Sequence, residues 1–448
     1  MITRIEINGF KTFSRFAVDL TPFTAMVGPN ASGKSNLFDA IKLLSELSKA
    51  DVRSAMSGVR GEPEELFRAT ESGLVPEMTI AVDVLLSANG VDQFGTQYTL
   101  RAQRLHYTVT LSLRRNSDGR ITGIYVANES CERIKKADER ASFLKGISEI
   151  EYGNDRMPFL STERGEAGPA SFRIGQDGVG KRGVGKRGVP VRLPASEASR
   201  TALSTVTTAE FPHLYALREF LSHPRFLEIN PHAARRENDR FQQTEMLPDA
   251  ANLAAVLARI KAETATDDQP EGALGDISID LARLIPSVQR VRSTTSSDER
   301  EYSYVLEMAE GLSFSSRVIS DGTLRLLTLI TVLNDPGRRG LLCFEEPENG
   351  IHEGRVATLI ELIRDATEFP APDYFQVLLN THSPAVMAAL KDDELVAADI
   401  VVTLGTGGPE RRTRMRRGPV EQGDLIDAEK TLTRHEINRL LQRDADAA

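Results

Sequence analysis

The stretch Gly28-Pro29-Asn30-Ala31-Ser32-Gly33-Lys34-Ser35 decides the fold, because it fills every fixed position of the pattern G-x-x-x-x-G-K-[ST]. That pattern is a phosphate-binding loop when a buried strand leads into it and a helix leads out. Here Phe23-Thr24-Ala25-Met26-Val27 is short and mostly apolar, and Asn36 to Leu47 places apolar side chains at helical spacing. Glycine at 28 and 33 lets the backbone turn its N–H groups onto phosphate oxygens, and a helix beginning near Lys34 adds its positive end. Lys34 would reach the β- and γ-phosphates, and the Ser35 hydroxyl would ligate Mg²⁺. ATP and Mg²⁺ are the expected ligands, with Gly28, Asn30, Ser32, Gly33, Lys34, Ser35 and Asn36 as nucleotide contacts.

Three later stretches extend the site, and their order matters more than any one alone. Ile319-Ser320-Asp321-Gly322-Thr323 opens an apolar helix, Leu324 to Leu333. Serine and glycine there can offer a hydroxyl and N–H groups to a phosphate, although Ser-Asp-Gly is also ordinary capping chemistry. Leu341-Leu342-Cys343-Phe344-Glu345-Glu346-Pro347-Glu348-Asn349 runs four apolar residues into two acids, as a buried strand does when its C-terminal end delivers carboxylates to a ligand. Glu345 would hold Mg²⁺ through water, and Glu346 would take a proton from the attacking water or orient it. A third apolar run, Phe375-Gln376-Val377-Leu378-Leu379-Asn380-Thr381, ends at His382, whose ring is placed to sense the γ-phosphate or that water.

With these stretches in view, the chain resembles the ABC-type ATPases. Gly28 to Ser35, Ile319 to Thr323, Leu341 to Glu346 and Thr381-His382 look like their Walker A, signature, Walker B and switch-histidine motifs. The likeness is to the SMC, RecF and OLD branch, in particular the RecF-like ATPases with Glu-Glu-Pro-Glu after the Walker B strand. Ile5-Glu6-Ile7-Asn8-Gly9-Phe10-Lys11-Thr12-Phe13 also looks like this branch, and the resemblance spans about 1–50 and 300–405. It implies an α/β P-loop NTPase head with an antiparallel β-subdomain and a mixed, partly helical insertion. It also implies a two-fold homodimer in which Ser320 and Gly322 of one head face the γ-phosphate held by the other. The chain departs from the wider pattern in Asp321-Gly322 where transporters have Gly-Gly, in Glu345 where many relatives have Asp, and in Glu353 after His352. No Q-loop glutamine stands out, with Gln97 the nearest guess.

Read in order, Thr3 to Ile7, Ser14 to Asp19 and Pro22 to Val27 are strands, and a short helix falls around Pro63 to Ala69. Pro76 to Leu86, Gln97 to Leu100, Leu105 to Leu113 and Arg120 to Ala127 follow as antiparallel strands, with Asn116-Ser117-Asp118-Gly119 as a hairpin turn. Residues 130–200 are poorly patterned and contain the tandem Val179-Gly180-Lys181-Arg182-Gly183 and Val184-Gly185-Lys186-Arg187-Gly188, a surface loop or a basic finger for phosphate backbone. Helical spacing returns over Pro212 to Leu221, over Ala250 to Thr264 with Asp249 as N-cap, and over Ser278 to Leu284. Arg225 to Ile229, Tyr302 to Met308, Leu312 to Val318, Ile400 to Leu404 and Arg411 to Arg417 read as strands, and Leu432 to Leu441 as a final helix. The implied division is 1–130 and 301–448 as two lobes of the ATPase head and 131–300 as the insertion.

At 448 residues the chain exceeds one ordinary core, and no apolar run reaches the roughly 18 residues of a membrane span. The opening residues lack a basic stretch followed by an apolar one, and the two cysteines, Cys131 and Cys343, are far apart, so a cytoplasmic protein is expected. A net charge of −9 argues against wholesale coating of nucleic acid, while Arg411, Arg412, Arg414, Arg416 and Arg417 would either contact DNA phosphates or charge a sheet edge. The residues after His382 are too few for the Toprim nuclease that OLD proteins append. The expected function is an ATPase whose nucleotide-driven head dimerisation controls a DNA transaction or a separate nuclease or effector subunit, as in repair or anti-phage defence. The alternatives are a nucleotide-gated scaffold with little turnover and the ATPase subunit of a transporter.

Overall fold

The computed structural model describes residues 1–154, 157–164, 170–175, 190–370, 374–405, 408–418, 436, 437 and 439. The tandem Gly-Lys-Arg stretch and the expected final helix lie outside or almost outside these residues. Two compact units make up the chain: Met1–Thr21, Gly28–Pro224 and Val396–Ala448 form one, Pro22–Val27 and Arg225–Leu395 the other.

The first unit is built on an eight-stranded antiparallel sheet. Its order is Val191–Pro194, Ser171–Ile174, Leu160–Glu163, Ile121–Arg133, Arg104–Arg115, Glu77–Leu85, Ile2–Asn8 and Phe16–Asp19. Alternation fixes which face is buried. Ile5 pairs with Val82, Val82 with Tyr107, Tyr107 with Cys131 and Cys131 with Leu160, so one apolar row crosses five strands. All five side chains are buried, and Ile5, Val82 and Leu160 each contribute about 1.5–3 kcal/mol of apolar transfer. The turn at Asn116 to Gly119 forms as expected, closed by a 3.0 Å bond from the Gly119 N–H to the Asn116 carbonyl, with Gly119 at φ 78°.

Three of these strands, Leu160–Glu163, Ser171–Ile174 and Val191–Pro194, arise from the stretch that showed no pattern. Each has only four residues, and Ser171–Ile174 buries just Phe172 and Ile174, too few for a period to be read. The helix Lys34–Leu47 belongs to this unit and ends where the Thr201 hydroxyl donates to the Leu47 carbonyl at 2.8 Å. Ser48 and Ser222 share a 2.8 Å bond just beyond, which ties that end to the helix Pro212–Ser222. The expected helix near Pro63 is a single 3₁₀ turn, Pro63–Leu66.

The second unit holds a parallel sheet in the order Arg225–Leu227, Gly340–Glu345, Phe375–Thr381, Phe23–Val27. Every residue of Phe23–Val27 and Phe375–Thr381 is buried, which is why both read as continuous apolar runs rather than alternating ones. Helices Leu253–Thr264, Leu274–Leu284, Asp321–Leu333 and Val356–Ala366 accompany it, with an antiparallel hairpin, Val288–Thr295 and Glu301–Met308.

The helix expected over Ser278 to Leu284 starts at Leu274, and the strand expected over Arg120 to Ala127 runs to Arg133. Two further boundaries differ for a local reason. The helix expected from Ala250 begins at Leu253, because Ala250 takes a left-handed φ of 62° and Asp249 instead accepts from the Ala251 N–H at 3.0 Å. The strand expected over Leu312 to Val318 is only Ser313–Ser315, after which the Ser316 hydroxyl donates to the Arg235 carbonyl and the chain enters a 3₁₀ turn. The chain is α/β, with an antiparallel sheet in one unit and a parallel sheet in the other.

Candidate functional site

In the first unit, the loop Gly28 to Gly33 runs straight into the helix at Lys34. Its turn needs left-handed backbone at Ala31 (φ 58°) and Gly33 (φ 96°). Both glycines also answer to close neighbours. A Cβ on Gly28 would meet the Ala398 carbonyl oxygen at 2.3 Å, and one on Gly33 would meet Thr413 Oγ1 at 2.1 Å. Thr413 is itself fixed by a 2.7 Å bond to Thr12, whose hydroxyl also accepts from Asn36 Nδ2 at 3.0 Å. Asn36 therefore braces the scaffold beneath the loop.

The loop's polar groups suit a phosphate. Lys34 Nζ curls back to donate to the carbonyls of Gly28 and Pro29 at 2.6 and 2.7 Å, so an ammonium group stands over the loop. Ser32 Oγ is buried, on a residue 1% exposed, and has no hydrogen-bond partner among the described residues. A buried hydroxyl facing no protein acceptor is what a phosphate oxygen satisfies. Ser35 is half-buried and Asn30 exposed.

In the second unit, the end of Gly340–Glu345 and the end of Phe375–Thr381 are joined by three side-chain rungs. Asn380 Nδ2 donates to Glu345 Oε1 at 3.0 Å, Thr381 Oγ1 donates to Glu348 Oε1 at 2.5 Å, and His382 Nδ1 lies 3.0 Å from Glu346 Oε1. Glu346 has φ 50°, an uncommon conformation for a side-chain-bearing residue, which turns its carboxylate out of the strand direction. The turn is held by the Glu346 N–H donating to the Asn380 carbonyl at 2.7 Å and by Asn349 Nδ2 donating to Glu346 Oε2 at 2.7 Å. Burial raises the pKa of Glu348, against the Thr381 hydrogen bond, which acts to lower it. Its second oxygen is buried without a partner among the described residues. Thr381 Oγ1 also accepts from the Ser383 N–H at 2.9 Å, which fixes the backbone on both sides of His382.

Ser320 caps the helix Asp321–Leu333, accepting from the Thr323 N–H at 3.2 Å. Gly322 lies against Gly350, where a Cβ would come within 2.8 Å of the Gly350 carbonyl oxygen. The helix start therefore packs backbone to backbone on the turn that follows Glu346. Arg235 donates through Nη2 to Asp321 Oδ1 at 2.5 Å and to the Ile319 carbonyl at 2.8 Å.

Gln97 is exposed, in a two-stranded ribbon where it pairs with Val91. Of the arginines on Gly408–Arg417, Arg414 and Arg416 reach Asp399 at 2.6 and 3.1 Å, and Arg411 is exposed. Among the described residues no group of three or more His, Cys, Asp or Glu side chains is arranged to hold a metal ion, and no helix is long and apolar enough to cross a membrane. Ser35, in the first unit, and Glu345, in the second, each offer a hard oxygen of the kind Mg²⁺ prefers.

Two family models match the chain. One described as "AAA ATPase domain" covers residues 1–139, and one described as "AAA domain, putative AbiEii toxin, Type IV TA system" covers residues 213–388. The chromosome partition protein Smc of Myxococcus xanthus is 33% identical over 138 residues, 30% of this chain and 10% of that protein. Its namesake in Methanocaldococcus jannaschii is 51% identical over 41 residues, 9% of this chain and 4% of that one. The chain thus spans about a tenth or less of the length of these curated relatives. A solved Smc head bound to the C-winged helix domain of ScpA aligns with 92% of this chain and 97% of its own, at 14% identity and a TM-score of 0.48.

Proposed function

We propose that this chain, which belongs to the SMC/RecF-like AAA ATPases, hydrolyses ATP and that two copies close on the nucleotide to control a DNA transaction or an effector partner. In this reading residues 1–130 and 301–448 are the lobes of an ABC-type head and 131–300 an insertion. Lys34 and the loop N–H groups hold the β- and γ-phosphates, with Ser32 and Asn30 beside them. Ser35 and Glu345 hold Mg²⁺, which neutralises charge on the phosphate oxygens when bound. Glu346 takes the proton of the attacking water as the bond from the γ-phosphorus to its bridging oxygen breaks, giving ADP and phosphate. His382 orients the Glu346 carboxylate and faces the same phosphate, and Ser320 and Gly322 complete the site of the other copy.

The observation that carries hydrolysis is the Glu346 carboxylate, turned out of its strand by a φ of 50° and gripped at 3.0 Å by His382 and at 2.7 Å by Asn349. A base must be held still to act, and a merely solvated acid at a strand end has no need of two partners. The dimer and the nucleic-acid or effector role rest on the likeness to Smc proteins and on the family description that names a toxin system.

The test is the mass of Glu346→Gln with and without ATP, beside turnover of the wild type with and without double-stranded DNA. ATP-dependent doubling of mass, absent in Lys34→Ala, supports the closed dimer, and stimulation by DNA favours the nucleic-acid branch. A monomer under all conditions contradicts the dimer.

A further inference from the structure

We propose that Arg235 is the cation this chain offers to the γ-phosphate held by a second copy, and that the Asp321 carboxylate holds its place until that phosphate arrives. The inference rests on the two-copy reading above and names a group within it.

Arg235 is poised rather than free. Its backbone is anchored by the Ser316 hydroxyl on its carbonyl at 2.8 Å and by the buried Tyr304 hydroxyl on the Ala234 carbonyl at 2.8 Å. The side chain, 19% exposed, ends at the start of the helix Asp321–Leu333, on the 64% exposed carboxylate of Asp321. Arg325, one helical turn on, carries a further positive charge that acts on the same carboxylate. The hydrogen bond from Arg235 is the main reason the Asp321 carboxyl titrates below its usual range. A helix start already favours negative charge, and the Arg235 guanidinium on one exposed carboxylate there makes a place suited to an anion of higher charge.

The pair can exchange partners at small cost. An ion pair with one member largely in water contributes little, so Arg235 gives up little when Asp321 swings into solvent. A guanidinium gains more from a phosphate, which carries more charge and can accept two parallel bonds. Ser320 and Gly322 flank Asp321, so the group they face is the one Arg235 would meet.

A plain structural role predicts something different. If Arg235 only fixes the Ile319 to Asp321 turn, breaking the pair from either side should loosen the same surface. The exchange predicts opposite signs.

The measurement is the dissociation constant of the ATP-dependent dimer by sedimentation, in a Glu346→Gln background so that nucleotide is not consumed, beside the nucleotide affinity of the monomer. Asp321→Asn should tighten the dimer severalfold. Arg235→Ala should weaken it by about tenfold or more, the scale of a charge-assisted bond, without changing the nucleotide affinity of the monomer. Arg235→Lys keeps the charge, should fall between, and covers the case in which Arg235→Ala does not fold. Weakening by both Asp321→Asn and Arg235→Ala, or no effect of the arginine variants, overturns the proposal while leaving the dimer intact. If the background protein does not dimerise with ATP at all, the two-copy reading fails and takes this proposal with it.

Discussion

Nδ1 of His382 lies 3.0 Å from Oε1 of Glu346, although the two residues end different strands of the parallel sheet. Both side chains are partly exposed, at 49% and 40%. Their pairing therefore adds little to stability, and in the proposed reaction it would aim the carboxylate. Glu346→Gln should lower phosphate release by about 10²–10⁴-fold, the range of a positioned base, with ATP affinity and melting temperature close to wild type. His382→Ala should cost less, because Asn349 still holds the other oxygen. Phosphate release under single-turnover conditions checks both.

Glu348 is expected to act through its neighbours. Glu348→Ala removes the acceptor of the Thr381 hydroxyl and frees the backbone beside His382. We expect kcat to fall by about tenfold, as one charge-assisted bond lost in positioning would give, with KM for ATP unchanged. A matched rise in KM would point to a nucleotide contact instead.

The phosphate loop separates binding from folding. Lys34→Ala removes the ammonium that donates to the Gly28 and Pro29 carbonyls, so ATP binding should be lost with a smaller fall in melting temperature than Gly33→Ala causes. Gly33→Ala puts a Cβ 2.1 Å from Thr413 Oγ1 at a φ of 96°, and should lose both binding and about 1–3 kcal/mol of stability. Adding Thr413→Ala should recover only part of that loss, because the backbone strain remains. Fluorescent nucleotide titration and thermal melts distinguish these outcomes.

Burial pushes the Glu129 carboxyl up to about 7, although it accepts from the Leu203 and Ala202 N–H groups and the Tyr107 hydroxyl. The folded chain then holds this proton more tightly than the unfolded one. Its contribution is full below the unfolded pKa near 4.5, and it is lost as pH rises through about 7. Wild type should lose about 3 kcal/mol relative to Glu129→Gln between pH 4.5 and 8, beyond any constant offset from the amide. Denaturation midpoints of the pair across that range are the check, and parallel curves would contradict it.

Sequence reading reached the parts whose signal is local. The loop at Gly28 to Ser35, the acids at Glu345 and Glu346, and His382 each sit at the end of an apolar run, so one short window holds both the strand and the group it delivers. Partners distant in sequence were not legible. Arg235 stands 86 residues before Asp321, and Thr12 stands 401 before Thr413, so no local window contains either pair. The arginine cluster after residue 410 was ambiguous for the same reason, since Asp399 lies on the neighbouring strand. The four-residue strands after Leu160 bury too few side chains to show a period. Ala250 broke an expected helix through a backbone angle that alanine rarely adopts.

The central claim is that this chain hydrolyses ATP with Glu346 as base. The most direct test is single-turnover phosphate release from wild type and Glu346→Gln, each first shown to bind ATP. Wild type should release phosphate, and the variant should lose at least about 10²-fold. Equal release from both, or none from a wild type that binds ATP and dimerises, would contradict it.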